Sequence, residues 1–280
     1  MLKPLAIASL LTVTAQAWAD TDAQRIAALD YSALDTLTAL GQGERIAGVP
    51  QSSLPEYLSA YATQKYADVG SLKSPEYEVL DQLAPDSIII SGRLSGEKQK
   101  LEEIAPTWLN GGVEADDYWS RLEANTHALA TEYGADEQAG PALDSLHADI
   151  DDAVARVEGT PEVLVVLHND GKLVYREDAI VNDLMGLASP NLPEDADTQA
   201  RGERSFTLLT PAQISAMAPD LVWVIDRSAA IGQPELDLEA LQTELGDLSV
   251  VKGSPKLWYL ASGGLESTLL QVNEVVSALQ

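Results

Sequence analysis

The chain has 280 residues, 45% of them hydrophobic, enough for one large or two medium domains that each bury a core. Its 17 basic against 44 acidic residues leave a net charge of -27, which argues against a nucleic-acid partner, whose phosphates need local positive charge, and makes the surface strongly anionic. The absence of cysteine rules out disulfides, thiolate metal sites, cysteine nucleophiles and a lipid-attachment cysteine.

Residues 1–19 read as an export signal. Lys3 supplies the positive start, residues 5–13 an apolar run too short to span a bilayer, and Ala17-Trp18-Ala19 a small-x-small cleavage pattern. The expected form is soluble and free in the periplasm of a bacterium with two membranes. Residues 25–30, RIAALD, read as a strand, followed by a helix that Ser32 and Asp35 open as a capping pair and Gly41 ends. Residues 46–49 form a second short strand, and Ser53-Leu54-Pro55-Glu56 opens another helix. Ser74-Pro75 reads as a cap with proline at the first helical position.

Residues 80–93, LDQLAPDSIIISGR, then take the chain from that helix through Ala-Pro-Asp into an apolar strand. The segment recurs 134 residues later as ISAMAPDLVWVIDR, residues 214–227. Pro85 and Pro219 stop each helix, and the runs 88–90 and 221–225 read as strands buried on both faces of a parallel sheet. Arg93 and Arg227 each stand seven positions after the Asp, at the carboxyl end of the strand. That edge is where open α/β sheets bind ligands, so the two are either arginines facing one cleft or ordinary surface residues.

Between the copies, residues 118–158 carry no strand signal. From Asp136 onward Ala142, Leu143, Leu146, Ile150, Val154 and Val157 recur at helical spacing, long enough to bridge two lobes, although one more packing helix would give the same pattern. Gly159 closes the stretch. The second half restarts with PEVLVVL, residues 161–167, and the turn Asn169-Asp170-Gly171. Thr210-Pro211 repeats the helix opening. Val250 and Val251 belong to a short strand, KLWYL at 256–260 reads as the last one, and Gly263-Gly264 precede an amphipathic final helix. The expected division is residues 20–135 for a first α/β lobe, 136–158 for the bridging helix and 159–280 for a second lobe.

His127, His147 and His168 have no metal-ligand spacing and read as surface or core histidines. The chain has no phosphate loop, dinucleotide fingerprint or nucleophile elbow, so a binder is expected rather than an enzyme.

ALDYSALDTLTALG, GVPQSSLPEYL, KYADVGSLKSPEYEVLDQLAPDSIIISGR, VWVIDRSAAIG and WYLASGGLES together resemble the periplasmic binding proteins of ABC importers that capture ferric siderophores, in particular the enterochelin and catecholate type. The resemblance covers most of residues 24–280. It implies the class III architecture, two Rossmann-like α/β lobes with parallel sheets joined by one long helix, and a cleft between them. It also implies a ferric siderophore as ligand, no cofactor, an inner-membrane ABC permease as partner and a monomer. By position, Arg93 and Arg227 match arginines that face the anionic ferric complex, and Tyr259 matches a residue able to ligate iron. Tyr31 and Trp258 stand at corresponding strand ends, either facing ligand or in the core.

The second half departs from the pattern. GKLVYREDAIVNDLMG is shorter than the usual glycine-rich loop and leaves only Arg176 near that place. Where a second iron-ligating histidine is expected, RGERSFTLL offers Arg201 and Arg204 instead. Glu78 matches a glutamate that meets the permease, whereas its partner position holds Ala212. These departures leave room for another chelate, a haem or a corrinoid, or for a non-transporting interaction protein on the same fold.

Overall fold

The computed structural model describes residues 24–201 and 204–280, and the export signal expected over residues 1–19 lies outside them. In the first lobe β1 (Ile26–Leu29), α1 (Tyr31–Ala39), β2 (Ile46–Val49), β3 (Ala67–Asp68), α2 (Tyr77–Leu83), β4 (Ser87–Ile90), α3 (Lys98–Leu101) and β5 (Thr107–Leu109) follow one another. Their strands form a sheet in the order β3-β2-β1-β4-β5, with every pairing parallel. All four residues of β1 and of β4 are buried, as a strand covered on both faces by helices requires.

Helices α4 (Tyr118–Tyr133) and α5 (Asp136–Val154) then lead to the second lobe. There β6 (Val163–Asn169), β7 (Lys172–Tyr175), β8 (Asp197–Arg201), β9 (Arg204–Leu209), α6 (Pro211–Met217), β10 (Leu221–Asp226), α7 (Arg227–Ala230), α8 (Leu238–Leu245), β11 (Val250–Lys252), α9 (Pro255–Leu260) and α10 (Leu265–Ala278) complete the chain. Its sheet runs β11-β10-β6-β7-β9-β8. The parallel expectation holds for β11, β10 and β6, while β7, β9 and β8 extend the sheet antiparallel. The first of these reversals is the hairpin at Asp170 and Gly171, whose φ angles of 52° and 73° give the left-handed pair that a tight two-residue turn needs.

The duplicated segments share their backbone down to an unusual detail. Helices α2 and α6 both end on an alanine in the left-handed region, Ala84 at φ 45° and Ala218 at φ 48°. The following proline disfavours the right-handed conformation at that residue. The left-handed one lets the alanine N–H close back onto the carbonyls of Leu80 and Ile214. A side chain there costs about 1–2 kcal/mol, and both copies accept it.

Three local readings change. Thr210 does cap α6, with Gln213 completing a capping box, but Ser74-Pro75 does not cap α2. Pro75 is held in a bridge to Gly70, Ser71 and Ser74 close a turn on each other, and the helix starts two residues later. Helix α1 is capped by Asp30 rather than by Ser32 and Asp35. Residues 256–260 form part of helix α9, not a strand: Leu257, Trp258, Leu260 and Ala261 are buried, a set that fits a helical turn and not an alternation.

Asp35 is used elsewhere. From α1 its carboxylate reaches the start of α10, accepting the N–H groups of Glu266 at 2.9 Å and Ser267 at 2.8 Å, and the Tyr57 hydroxyl donates to it at 3.2 Å. The final helix, which follows the second lobe, is thereby fastened to the first. Gly264 is needed for this approach, since a Cβ there would stand 2.3 Å from Asp35 Oδ2. Burial raises the Asp35 carboxyl to about 6, although the two N–H donors and Tyr57 oppose the shift.

A folded-state value above the unfolded one means that the fold binds the extra proton, so this group's contribution to stability is fully present below about pH 4 and is lost as pH rises through 6. Urea midpoints measured between pH 4 and 7 should therefore fall with rising pH, and Asp35→Asn should flatten that fall; an unchanged slope would show that Asp35 does not contribute to it.

Candidate ligand-binding cleft

The carboxyl ends of β4 and β10 face each other across the gap between the lobes. Arg93 lies in the turn after β4, where Ser91 accepts its backbone N–H, and Arg227 opens α7 directly after β10. Both side chains meet Tyr259 of α9. Arg93 Nη2 donates to the Tyr259 carbonyl at 2.6 Å, and Arg227 Nε donates to the Tyr259 hydroxyl at 2.8 Å. The guanidinium carbons lie 5.8 Å and 5.4 Å from the ring centroid, so one aromatic ring receives a cation from each lobe.

Arg227 is braced from below. Its Nη1 donates to Asn169 Oδ1 at the end of β6. Beside it the Asp226 carboxylate, fully buried, accepts the N–H groups of Ala229 and Leu236 and lies 2.8 Å from His168 Nδ1. His168 Nε2 accepts the Gly171 N–H at 3.1 Å, which places the ring proton on Nδ1, pointing at Asp226. Burial pushes the Asp226 carboxyl up, but the His168 donor and the two backbone donors outweigh it and hold it below the ordinary carboxylate range. The negative charge under Arg227 is thus already committed to donors of the fold.

A cavity of about 530 Å³ opens beside Arg93, walled by Ser52, Ser53 and residues 71–73 of the first lobe and by residues 229–232, Lys256 and Leu260 of the second. Lys73, Arg93 and Lys256 line it and, among the described residues, no carboxylate does. None of Lys73, Arg93, Arg227 and Lys256 has a described carboxylate within ion-pair distance. In a chain with 44 acidic and 17 basic residues this inverts the average surface. Lys256 spans the gap and donates to the Leu54 carbonyl at 3.2 Å. Another cavity, about 1020 Å³, belongs to the second lobe alone; its walls include Asp170, Asp195, Asp197, Glu235, Asp237 and Glu244 against Lys172 as the single lysine or arginine among its described walls, a lining that repels anions.

The other expected site residues lie elsewhere. Tyr31 is fully buried in the first-lobe core, its hydroxyl donating to the Pro50 carbonyl at 2.7 Å, and burial raises it to about 12. Trp258 is core as well: its ring lies 5.1 Å from that of Trp223, and its indole N–H donates to Glu274 at 2.6 Å. Arg176 leaves β7 beside Val165, away from the Asn169 end of the hairpin, and pairs with Asp178 at 2.9 Å. Glu78 and Ala212 are exposed second residues of α2 and α6, equivalent places on the two lobes. Arg201 and Arg204 pair with each other across the β8–β9 ladder, and the place of the expected histidine is strand β9. His127 and His147 are exposed on α4 and α5.

Residues 26–245 match the family model described as periplasmic binding protein. The petrobactin-binding protein YclQ of Bacillus subtilis is 31% identical over 273 residues, which cover 92% of this chain and 83% of that protein. Its crystal structure superposes with a TM-score of 0.80 at 29% identity, covering 92% of both chains. PiuA of Streptococcus pneumoniae, an iron uptake ABC transporter substrate-binding protein, superposes with a TM-score of 0.77 at 28% identity, covering 91% of this chain and 92% of that one. The ferric-anguibactin-binding protein FatB of Vibrio anguillarum is 23% identical over 274 residues, covering 92% of this chain and 83% of its own.

Thermal melts should separate core from cleft. Trp258→Ala should cost about 3–5 kcal/mol, as removal of a buried ring does, whereas Arg93→Ala should cost less than about 1 kcal/mol. Equal losses would place Arg93 among the residues that hold the fold.

Proposed function

Because the chain belongs to the periplasmic binding protein family, we propose that it captures a ferric siderophore in the crevice between its lobes and delivers it to an inner-membrane ABC permease, catalysing no reaction. The observation that carries this reading is the cavity lined by Lys73, Arg93 and Lys256 with no carboxylate among its described walls, in a chain of net charge -27. A cargo held there must bring the negative charge itself. Catecholate and carboxylate oxygens around ferric iron do so, and relatives whose names give petrobactin and ferric anguibactin as ligands support this chemistry.

The arrangement suits recognition by hydrogen bonding. Each guanidinium offers five N–H donors in a fixed plane; Arg93 spends one on the Tyr259 carbonyl and Arg227 two on Tyr259 and Asn169, which orients both groups and leaves donors for the ligand. Such pre-orientation lowers the entropy lost on binding. The Tyr259 hydroxyl, a hard oxygen donor held by Arg227, is the proposed ligand to any iron position that the chelator leaves open. With β9 in the place of the expected histidine, the arginines rather than a His–Tyr pair carry the affinity.

The division at residues 20–135, 136–158 and 159–280 gives two lobes that present these groups to each other. The signal read at residues 1–19 supports a periplasmic location, and no described helix is long and apolar enough to cross a membrane. Glu78 is the proposed docking contact for the permease on the first lobe. Ala212 offers no charge at the matching place on the second, so docking relies on one side. The protein works as a monomer in this reading.

Titration of tryptophan fluorescence with ferric catecholate complexes tests the site. Arg93→Ala and Arg227→Ala should each weaken binding about 10- to 100-fold, the worth of a charge-assisted hydrogen bond, with no loss of fold. Unchanged affinity in both variants would remove the proposed site.

A further inference from the structure

We infer that the crevice has a second chamber, which takes an apolar arm of the chelate whose anionic head occupies the first; this rests on the chelate reading above. Another cavity of about 530 Å³ adjoins the cationic one, and the two share Ala229 and Lys256 in their walls. Residues 52 and 53 border the first chamber and residues 55–57 the second, so a single loop of the first lobe roofs both. The partition between them is the Lys256 side chain, which donates to the carbonyl of Leu54, the residue between these two stretches.

The chambers differ in chemistry. Pro55, Tyr57, Pro255, Leu257 and Leu270 give the second an apolar wall. Its partly buried polar groups are already engaged, since the Tyr57 hydroxyl donates to Asp35, and Glu274 accepts from Ser254 N–H and from the Trp258 indole. Glu56 is exposed at its edge. An unspent polar group inside would demand a polar ligand; with the polar atoms satisfied, the surface gains most from hydrocarbon. A ligand spanning both spaces therefore carries hard anionic oxygens at one end and hydrocarbon at the other. Lys256 joins the halves: a ligand oxygen offers its ammonium a charged acceptor in place of the neutral Leu54 carbonyl, and turning toward it opens the partition.

The ferric complexes of N-methyl- and N-hexyl-2,3-dihydroxybenzamide, titrated against the full chain by fluorescence quenching, carry the same head with and without an arm. Each buried methylene is worth about fourfold, so the hexyl complex should bind at least about tenfold tighter. Leu270→Asn should abolish that difference while leaving the methyl complex within about twofold of wild type. Glu56→Trp, whose indole would fill the chamber from its exposed edge, should do the same and guards against a folding defect in the first variant. Equal affinities in the wild-type protein, or a hexyl advantage that survives both substitutions, would overturn the second chamber and leave the chelate reading intact. Quenching by neither complex would overturn the chelate reading, and the chamber with it.

Discussion

Two guanidinium groups from different lobes are brought onto one tyrosine, and the crevice is arranged around the cost of that convergence. Like charges repel, yet a carboxylate placed between Arg93 and Arg227 would cancel the potential on which anion recognition depends. The protein offsets the repulsion with weaker partners: the Tyr259 carbonyl and hydroxyl, the Asn169 amide and the face of the aromatic ring. The negative charge of the nearest acid, Asp226, is engaged from other directions by the His168 N–H and two backbone N–H groups. Positive charge is thus held in place without being extinguished. Against a surrounding net charge of -27 it acts over a short range, because screening at physiological salt confines it to about 8 Å.

One local device, used twice, delivers these groups. A short helix stops at a left-handed alanine, proline turns the chain into a fully buried strand, and the strand ends at the interlobe gap. The copies diverge after the strand. Arg93 lies within a short 3-10 turn and is exposed, whereas Arg227 begins a helix, half-buried and braced by Asn169. Their similar sequence spacing therefore yields one guanidinium that reaches across the gap and one that is fixed within its own lobe.

This division explains what could be read from the chain alone. The helix stops, the buried strands and the two arginines follow from local patterns of proline, apolar run and spacing, all of which survive folding unchanged. Tyr259 was legible by resemblance, but its helix was not, because KLWYL is short enough to satisfy either period until Trp258 is seen packed at a tilt against Trp223. Tyr31 and Trp258 are aromatic like Tyr259, and only the packing decides that they are core. Lys73, Lys256 and Asn169 gave no signal, since their positions depend on long-range approach: Lys256 meets a carbonyl 202 residues away. Arg176 is displaced by the hairpin, which carries it down the sheet from the Asn169 end. The antiparallel strands β7, β8 and β9 were hidden in a stretch whose charged and turn residues mask alternation.

The attachment of α10 to Asp35 bears on how the molecule moves. The chain passes from the first lobe to the second through α5 and comes home through α10, and these two helices pack against each other. The lobes are therefore hung on a paired spine, and both of its connections must deform before one lobe moves against the other. Release of cargo then requires parting α9 from the first lobe, where its polar ties among the described residues are the bonds from Lys256 to Leu54 and from Arg93 to Tyr259, and where Leu260 and Ala261 are buried in the first-lobe core. Each tie is a cation on a carbonyl oxygen that water can replace, so the cost of opening lies in the apolar contact of Ala230, Leu260 and Ala261 with the first lobe rather than in the polar bonds.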